Sequence, residues 1–407
     1  MQKNTKKNIL LITTIYPAPD LKYGTSVCHY FTKEWVKMDY KVKVIHYQVV
    51  YPYVFYIFSK LFREFIASKT GAIVETHRQI ADKCYKIDGV DISRFPIFKR
   101  IPMGKFSKRV LEKNLNKIII KNEQEKFIPD YIIGHFSNPQ LFIISTLKGK
   151  YPNSKTCMIM HDNGLSIKKI FSNNFSDLME NIDVWGFRSK PLKFDFEQNF
   201  GKVKNSFMCY SGIPKSYIIN ELPKDRFNNP LRKFLYVGDF IKRKFPEILP
   251  IAIKNAYDSI DFSITFIGSG AEKQNIYNAA EKLEIQNKIF FIGRIERDEI
   301  IDYFDNSDCF IMISKGEAFG LVYLEAMARG CITIGSKNEG IDGIIVNNVN
   351  GFLCEPGNDI ELTEIIKKIN NMTPIQRQKI SQNAINTARE MTDYLVAKNY
   401  IQELESI

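Results

Sequence analysis

Residues 314–330, running from Ser314 to Gly330, read SKGEAFGLVYLEAMARG. They follow the apolar run DCFIMI and precede a second one, CITI, so strand, loop, helix and strand are specified in that order. Gly316 and Gly320 permit a tight turn and a close approach of backbone to ligand. The amides of Phe319, Gly320, Leu321 and Val322 fall where the helix begins, at the positive end of its dipole, which predicts a seat for an anion such as phosphate. Glu317 falls in the loop and Glu325 about one turn into the helix, so both carboxylates can face the same cleft at different depths. Carboxylates beside a phosphate seat suit sugar hydroxyls, which need acceptors.

Outward from this stretch, short apolar runs at 233–237, 263–267, 288–292, 309–313 and 331–334 alternate with helical patterns at 245–257, 272–283, 297–304 and 321–329. Strand and helix repeated in this way predict a parallel sheet covered on both faces, a doubly wound α/β domain. The first half repeats the alternation less cleanly, with strands expected at 8–13, 43–46, 131–133 and 155–160 and a helix over 26–37. A second doubly wound domain is expected there. The stretch 211–230, SGIPKSYIINELPKDRFNNP, mixes Pro, Gly, Asn and charge without a long period and reads as the end of an interdomain linker. Domains are therefore expected at 1–225 and 226–390. Two closing helices, 374–391 and 393–406, have no strand after them, and residues 391–407 are expected to return to the first domain.

At 407 residues, 44% hydrophobic and 25% charged, the chain is long enough for two buried cores with a cleft between them. Its seven cysteines, at 28, 84, 157, 209, 309, 331 and 354, form no Cys-x-x-Cys pair, which points to a reducing, cytoplasmic compartment and away from structural zinc. The opening MQKNTKKNILLITTIYP has a basic head and only a short apolar run, so it is expected to begin a domain rather than act as a leader. No apolar stretch reaches the ~18 residues that cross a bilayer.

The net charge of +12 is unevenly placed: residues 1–225 hold 36 Lys and Arg against 20 Asp and Glu, while residues 226–407 hold 21 against 25. The first half carries +16 and the second −4, a balance that suits an anionic partner for the first half or plain solubility. Within that half, residues 47–66, YQVVYPYVFYIFSKLFREFI, carry eight Phe or Tyr residues interrupted by Pro52, Lys60, Arg63 and Glu64. They can lie in an anionic membrane face as an amphipathic element or pack on their own domain. The lysine-spaced run 105–126 reads as a solvated helical face. A recognisable nucleic-acid module is lacking, so no nucleic-acid partner is expected.

Competing chemistries fail on spacing. Gly268-Ser269-Gly270 begins a dinucleotide fingerprint, but Lys273 stands where its third glycine belongs. The sequence has no Gly-Lys-Ser/Thr phosphate loop, no His-Glu-x-x-His, no Gly-x-Ser-x-Gly elbow and no Asp-x-Asp pair. A metal site and a cofactor are not expected.

Glu317 and Glu325, separated by seven residues, resemble the paired glutamates of the family 4 retaining glycosyltransferases of the GT-B fold. The resemblance runs through most of the second half. VGDFIKRKFPEIL is similar to the family's strand, glycine and basic loop, and FIGSG to its next strand-end glycines. FFIGRI is similar to the strand before base recognition, and NEGIDGIIVNNVNGFLCEPGN to the closing glycine-rich segment. In the first half it rests on ILLITTIYP followed by Gly24 and on MIMHDNG.

This resemblance implies two Rossmann-like domains facing each other across a cleft, the first binding the acceptor and the second a nucleotide-diphosphate sugar of the UDP or GDP type. It implies that Glu325 binds ribose hydroxyls, that Glu317 binds the sugar ring, and that Gly238 and Lys244 hold the diphosphate, where a cation stabilises the charge that builds on the leaving group. The backbone around Arg294 would face the base, the amides of Phe319, Gly320 and Leu321 the phosphates or sugar, and Gly24 the leaving phosphate. The family commonly has an arginine directly after the first of these glycines; this chain has Asp239, and Arg243 can substitute for it. His161, just after an apolar strand, is implied as a contact to the donor sugar at the reaction centre. Asp162 would orient the loop or the acceptor, with His135 a further acceptor-side residue. The activity implied is hexosyl transfer to a glycan or lipid-linked acceptor in cell-surface polysaccharide synthesis; the charge asymmetry together with the aromatic segment 47–66, and not the resemblance, is what suggests a peripheral position on the inner membrane face. The alternatives are a nucleotide-sugar epimerase or hydrolase on this fold, or a non-catalytic basic surface-binding protein.

Overall fold

A computed structural model describes residues 6–20, 26–62, 77–102, 104–171, 175–259 and 261–406. The described chain divides into two units, one holding the residues up to 211 together with those from 393 onward, the other residues 212–392.

The first unit is built on a sheet whose central strands are rich in apolar residues and buried on both faces, as parallel strands covered by helices must be. Along the chain come β1 (Asn8–Thr13), α1 (Val27–Lys37), β2 (Lys41–Val50), α2 (Tyr53–Leu61), β3 (Lys83–Ile87), β4 (Val90–Phe98), α3 (Lys108–Gln124) and β5 (Tyr131–His135). Then follow α4 (Gln140–Lys150), β6 (Lys155–Met160), α5 (Gly164–Phe171), α6 (Phe175–Met179), β7 (Val184–Phe187), α7 (Lys190–Phe200) and β8 (Ser206–Met208). The strand order is β3-β4-β2-β1-β5-β6-β7-β8, parallel except for the β3–β4 hairpin. Strand β2 continues through Tyr47 to Val50, where the sequence suggested an amphipathic element from residue 47. The helix begins only after Pro52, which supplies its N-cap. Residues 63–66 of that expected element lie outside the described residues. Helix α3 is not a wholly solvated face: Leu115 and Ile118 are buried in the core, while Lys117 pairs with Asp82 at 2.8 Å and Lys121 with Glu125 at 2.9 Å on its polar side.

The second unit runs β9 (Lys233–Val237), α8 (Ile248–Asn255), β10 (Ser263–Ile267), α9 (Lys273–Lys282), β11 (Ile289–Gly293), α10 (Ile300–Asp305), β12 (Cys309–Ile311) and α11 (Leu321–Ala328). It closes with β13 (Ile332–Ser336), β14 (Phe352–Cys354), α12 (Asp359–Asn370) and α13 (Pro374–Glu390). The strand order is β11-β10-β9-β12-β13-β14, all parallel. Thr373 starts α13 with a capping box, its hydroxyl accepting from Gln376 N while the Gln376 side chain accepts from Thr373 N.

The Pro- and Asn-rich stretch taken as a linker belongs to this second unit. Ile213 N donates to Met391 O at 3.1 Å, Ile219 N to Ala328 O at 3.1 Å, and Phe227 is fully buried. Its composition marks turns wrapped on a surface rather than a free connection, and the division falls at 211/212 instead of 225/226. From Asp393 the chain enters α14 (Asp393–Glu405), which packs on the first unit. Trp35 Nε1 donates to Ala397 O at 3.0 Å, and the Tyr400 ring lies 5.3 Å from Phe31 and 5.0 Å from Phe207.

Candidate functional site

In the second unit the chain builds β10 and β11 on one side of β9, then returns to lay β12, β13 and β14 on the other. The carboxyl ends of β9 and β12 therefore flank the point where strand order reverses, the place where open α/β sheets gather ligands. The β9 loop brings Gly238, Asp239, Arg243 and Lys244 to this point, and the loop after β12 brings Glu317, Phe319 and Gly320. The two loops are tied together: Lys315 N donates to Arg243 O at 2.7 Å, and Arg243 Nη1 donates to Lys315 O at 3.2 Å. Glu317 is fixed by its backbone, its N–H donating to Glu339 Oε2 and its carbonyl accepting from Gly340 N, both at 2.8 Å.

The side chains at this point are poorly satisfied. Glu317 Oε2 is buried and accepts no hydrogen bond among the described residues, standing 3.7 Å from Lys244 Nζ and 3.6 Å from Arg243 Nη1. The Lys244 side chain is only 13% exposed, yet among the described residues its ammonium reaches, beyond Glu317, just the Met312 thioether, at 3.9 Å. Beside it lies Gly238, where a Cβ would stand 3.2 Å from Nζ. Gly268 must be glycine for the neighbouring strand end to close in, since a Cβ there would fall 2.0 Å from Gly238 O. A buried ammonium with donors to spare beside a buried carboxylate lacking a donor leaves room for a ligand that is anionic at one end and hydroxylated at the other.

Gly320, at φ 79°, caps α11, whose first-turn amides have no acceptor within the helix; a Cβ at this position would run into the Tyr323 ring at 2.5 Å. Glu325 lies inside this helix and is 6% exposed. It is not free: Arg297 Nε donates to Glu325 Oε1 at 2.6 Å, and the same guanidinium lies 5.2 Å from the Tyr217 ring centre. Burial pushes the Glu325 carboxyl above the ordinary carboxylate range, with Arg297 pulling the other way. Arg294, whose backbone is expected to face the base, has its side chain engaged within this unit. Its Nη2 donates to Asp239 Oδ1 at 2.5 Å and its Nε to Ser269 Oγ at 2.7 Å. Asp239, standing where the resembling family has an arginine, is thus charge-paired from the end of β11, two strands away in the sheet.

In the first unit, strand order reverses between β1 and β5. His161, just past β6, stacks on Phe136 with ring centres 3.9 Å apart, and its Nε2 lies 3.2 Å from His135 Nδ1. His135 is fully buried, with Tyr400 Oη 3.4 Å from its other ring nitrogen, so it cannot itself touch an acceptor and instead backs His161. Burial, then the nearby Arg188 guanidinium, pushes His135 down to about 3, and the same two causes hold His161 well below the ordinary histidine range. Asp162 Oδ2 accepts from Ser137 N at 3.2 Å and Ser137 Oγ at 2.5 Å, which ties the β6 loop to the β5 loop. Gly24 lies outside the described residues. Among the described residues no group of three His, Cys, Asp or Glu side chains is placed to hold a metal ion.

Sequence reasoning missed Glu339, Arg297, Ser269, Met312, Phe136 and Ser137. Two of them had a local signal: Glu339, the acidic residue before Gly340 just past an apolar strand, and Ser269, between the two glycines of FIGSG.

Residues 219–387 match the family model of the glycosyl transferases group 1. The second unit therefore carries a group 1 glycosyltransferase domain, and the two Rossmann-like units have the GT-B fold. An uncharacterised glycosyltransferase of Methanocaldococcus jannaschii is 28% identical over 246 residues, 60% of this chain and 66% of its own. Matches to the curated relatives span from about a quarter to two thirds of those proteins' lengths. Sucrose-phosphate synthase from Thermosynechococcus elongatus superposes with a TM-score of 0.68 at 17% identity, covering 98% of this chain and 99% of its own. HepE from Anabaena in complex with UDP does so with 0.68 at 16%, covering 98% and 100%.

Proposed function

We propose that the protein transfers a hexosyl group, with retention, from a nucleoside diphosphate sugar to a glycan or lipid-linked acceptor in cell-surface polysaccharide synthesis. The observation that carries this reading is the Lys244–Glu317 pair at the reversal point of the second sheet, cation and carboxylate both under-satisfied. A sugar diphosphate supplies what each lacks: phosphate oxygens for Lys244 and Arg243, ring hydroxyls for Glu317. The first turn of α11 adds amides for a phosphate, and Glu325 offers an acceptor for ribose. On this reading the charge of the departing diphosphate is taken up by Lys244 and Arg243, and His161 and Asp162 serve the sugar and acceptor side. The UDP held by HepE supports a uridine donor.

A thermal-shift panel of nucleoside diphosphates tests the reading. One of UDP or GDP, at about 100 times its dissociation constant, is expected to stabilise the fold by about 2.7 kcal/mol. If neither shifts the melting transition at millimolar concentration, the donor site is wrongly assigned.

Glu325→Gln keeps the side chain's shape and a hydrogen-bond partner for Arg297 while removing the charge. It is expected to weaken binding of the same diphosphate about tenfold, the loss of a charge-assisted bond to ribose. Calorimetry measures it, and an unchanged affinity in the folded variant would take Glu325 out of the ribose site.

A further inference from the structure

Helix α2 buries Tyr56 and Ser59 and turns its other rows outward. Tyr53, Ile57 and Leu61 form one exposed row at four-residue spacing, and Val54, Phe58 and Phe62 form the next. Tyr53 is 67% exposed and Leu61 72%. Single exposed apolar residues are ordinary, but six on one helix face make a contiguous patch of the kind that marks an interaction surface.

A second segment meets this helix at the same end of the sheet. Val50 and Phe98 are register partners at the ends of β2 and β4, and Lys99 N donates to Val50 O at 2.8 Å. The turn after β4 thus leaves beside the start of α2, presenting exposed Phe98 and Ile101. Residues 51–62 and 98–109 together contain six basic residues, Lys60, Lys99, Arg100, Lys105, Lys108 and Arg109, and no Asp or Glu. Lys99, over the Phe106 ring at 5.0 Å, also lies within the field of Asp162, so the basic turn leads to the sheet end that holds Asp162 and His161.

From this juxtaposition we infer that the face formed by α2 and the turn after β4 docks on an anionic lipid bilayer, and that the acceptor is borne by that bilayer. The second half of the inference rests on the transferase reading; the first does not. An apolar stripe beside a turn that is basic in its own sequence, with Lys108 pairing to Glu112 at 3.9 Å, matches a surface that is negative outside and hydrocarbon within, each basic side chain contributing attraction and the aromatic rows sinking below the headgroups. Among the described residues no helix is long and apolar enough to cross a membrane, so the contact would be peripheral.

Co-sedimentation of the full chain with phosphatidylcholine vesicles, with and without phosphatidylglycerol, tests the docking. Binding is expected only to the anionic vesicles, and to fall steeply between 50 and 500 mM salt as about 10 Å screening lengths shrink. Arg100→Glu/Lys105→Glu, on exposed positions, should lower the partition at least about 25-fold, about fivefold for each of the two basic side chains removed. Phe58→Ser/Leu61→Ser should abolish the salt-resistant remainder. The inference is overturned if the wild type binds neither vesicle, if both variants bind as the wild type does, or if the protein dimerises without lipid and Phe58→Ser/Leu61→Ser abolishes the dimer. A protein that a nucleoside diphosphate stabilises but that ignores vesicles refutes the docking and leaves the transferase reading standing. One that binds vesicles but no nucleotide does the reverse.

Discussion

Lowering the pH from 7 to 5 is expected to cost the first unit at least about 4 kcal/mol of stability, from His46 and His135 alone. Both are buried as neutral rings. Burial, with Arg94 beside it, pushes His46 down to about 4, and burial, with Arg188, pushes His135 down to about 3. An unfolded histidine takes up its proton near pH 6.5, so between there and the folded values the unfolded chain binds more protons than the native one. Stability is therefore complete above pH 6.5 and is lost as pH falls, at about 2 kcal/mol for each ring by pH 5. His161 is displaced in the same direction and adds to the loss. Asp20, held below the carboxylate range by Arg94 and Lys83, adds its own loss only in more acidic solution, near the ordinary aspartate value. Against a typical total of about 5–15 kcal/mol, this is enough to unfold a marginal unit. The chain's two tryptophans, Trp35 and Trp185, both lie in the first unit, so their fluorescence in urea titrations reads that unit alone. A urea midpoint that does not move between pH 7 and pH 5 would show that these rings are not held neutral by the fold.

The second unit was legible because its strands are uninterrupted apolar runs with turn residues at each end. β9 and β10 begin and end where the runs at 233–237 and 263–267 do. The first unit hid its edge. β4, VDISRFPIF, carries Asp91, Arg94 and Pro96, as a strand near the side of a sheet can, and no continuous run announces it. The usable signal was Asp88-Gly89, which turns the β3–β4 hairpin with both residues at positive φ, 46° and 81°. β14 has three residues in a glycine-rich stretch, too few to show a period. In the candidate site, local pattern located Glu317, Gly320 and the start of α11. The pairings of Glu325 with Arg297 and of Asp239 with Arg294 join elements far apart in the chain, which only the folded topology brings together. His135 shows the same limit. Strand-end position marks it as ligand-facing, but Tyr400 on α14, far along the chain, closes over one side of its ring.

Lys244→Ala is expected to lower kcat about 100- to 1,000-fold, the loss that follows when a group aimed at charge developing in the transition state is removed. The side chain is 13% exposed and, among the described residues, its ammonium has no close partner that draws it elsewhere, so it is already placed for an incoming diphosphate and reorganises little on binding. Its removal also leaves the Glu317 carboxylate facing the phosphates without its more buried neutralising cation, Arg243 at 3.6 Å being 46% exposed and better screened. The variant should therefore bind the bare nucleoside diphosphate more weakly as well. Glu317→Gln separates the two contributions. It should leave the affinity for the bare diphosphate at or above that of the wild type, because a carboxylate near the phosphates has gone, while transfer of the sugar falls because the ring hydroxyls lose their charged acceptor. The two side chains share one contact, so the double variant should lose less activity than the product of the single losses. Calorimetry with the bare diphosphate, alongside turnover of the sugar nucleotide, provides both readouts. Near-normal turnover in Lys244→Ala would remove the cation from the leaving-group role. A Glu317→Gln protein that turns over normally but binds the bare diphosphate far more weakly would place that carboxylate on the nucleotide rather than on the sugar.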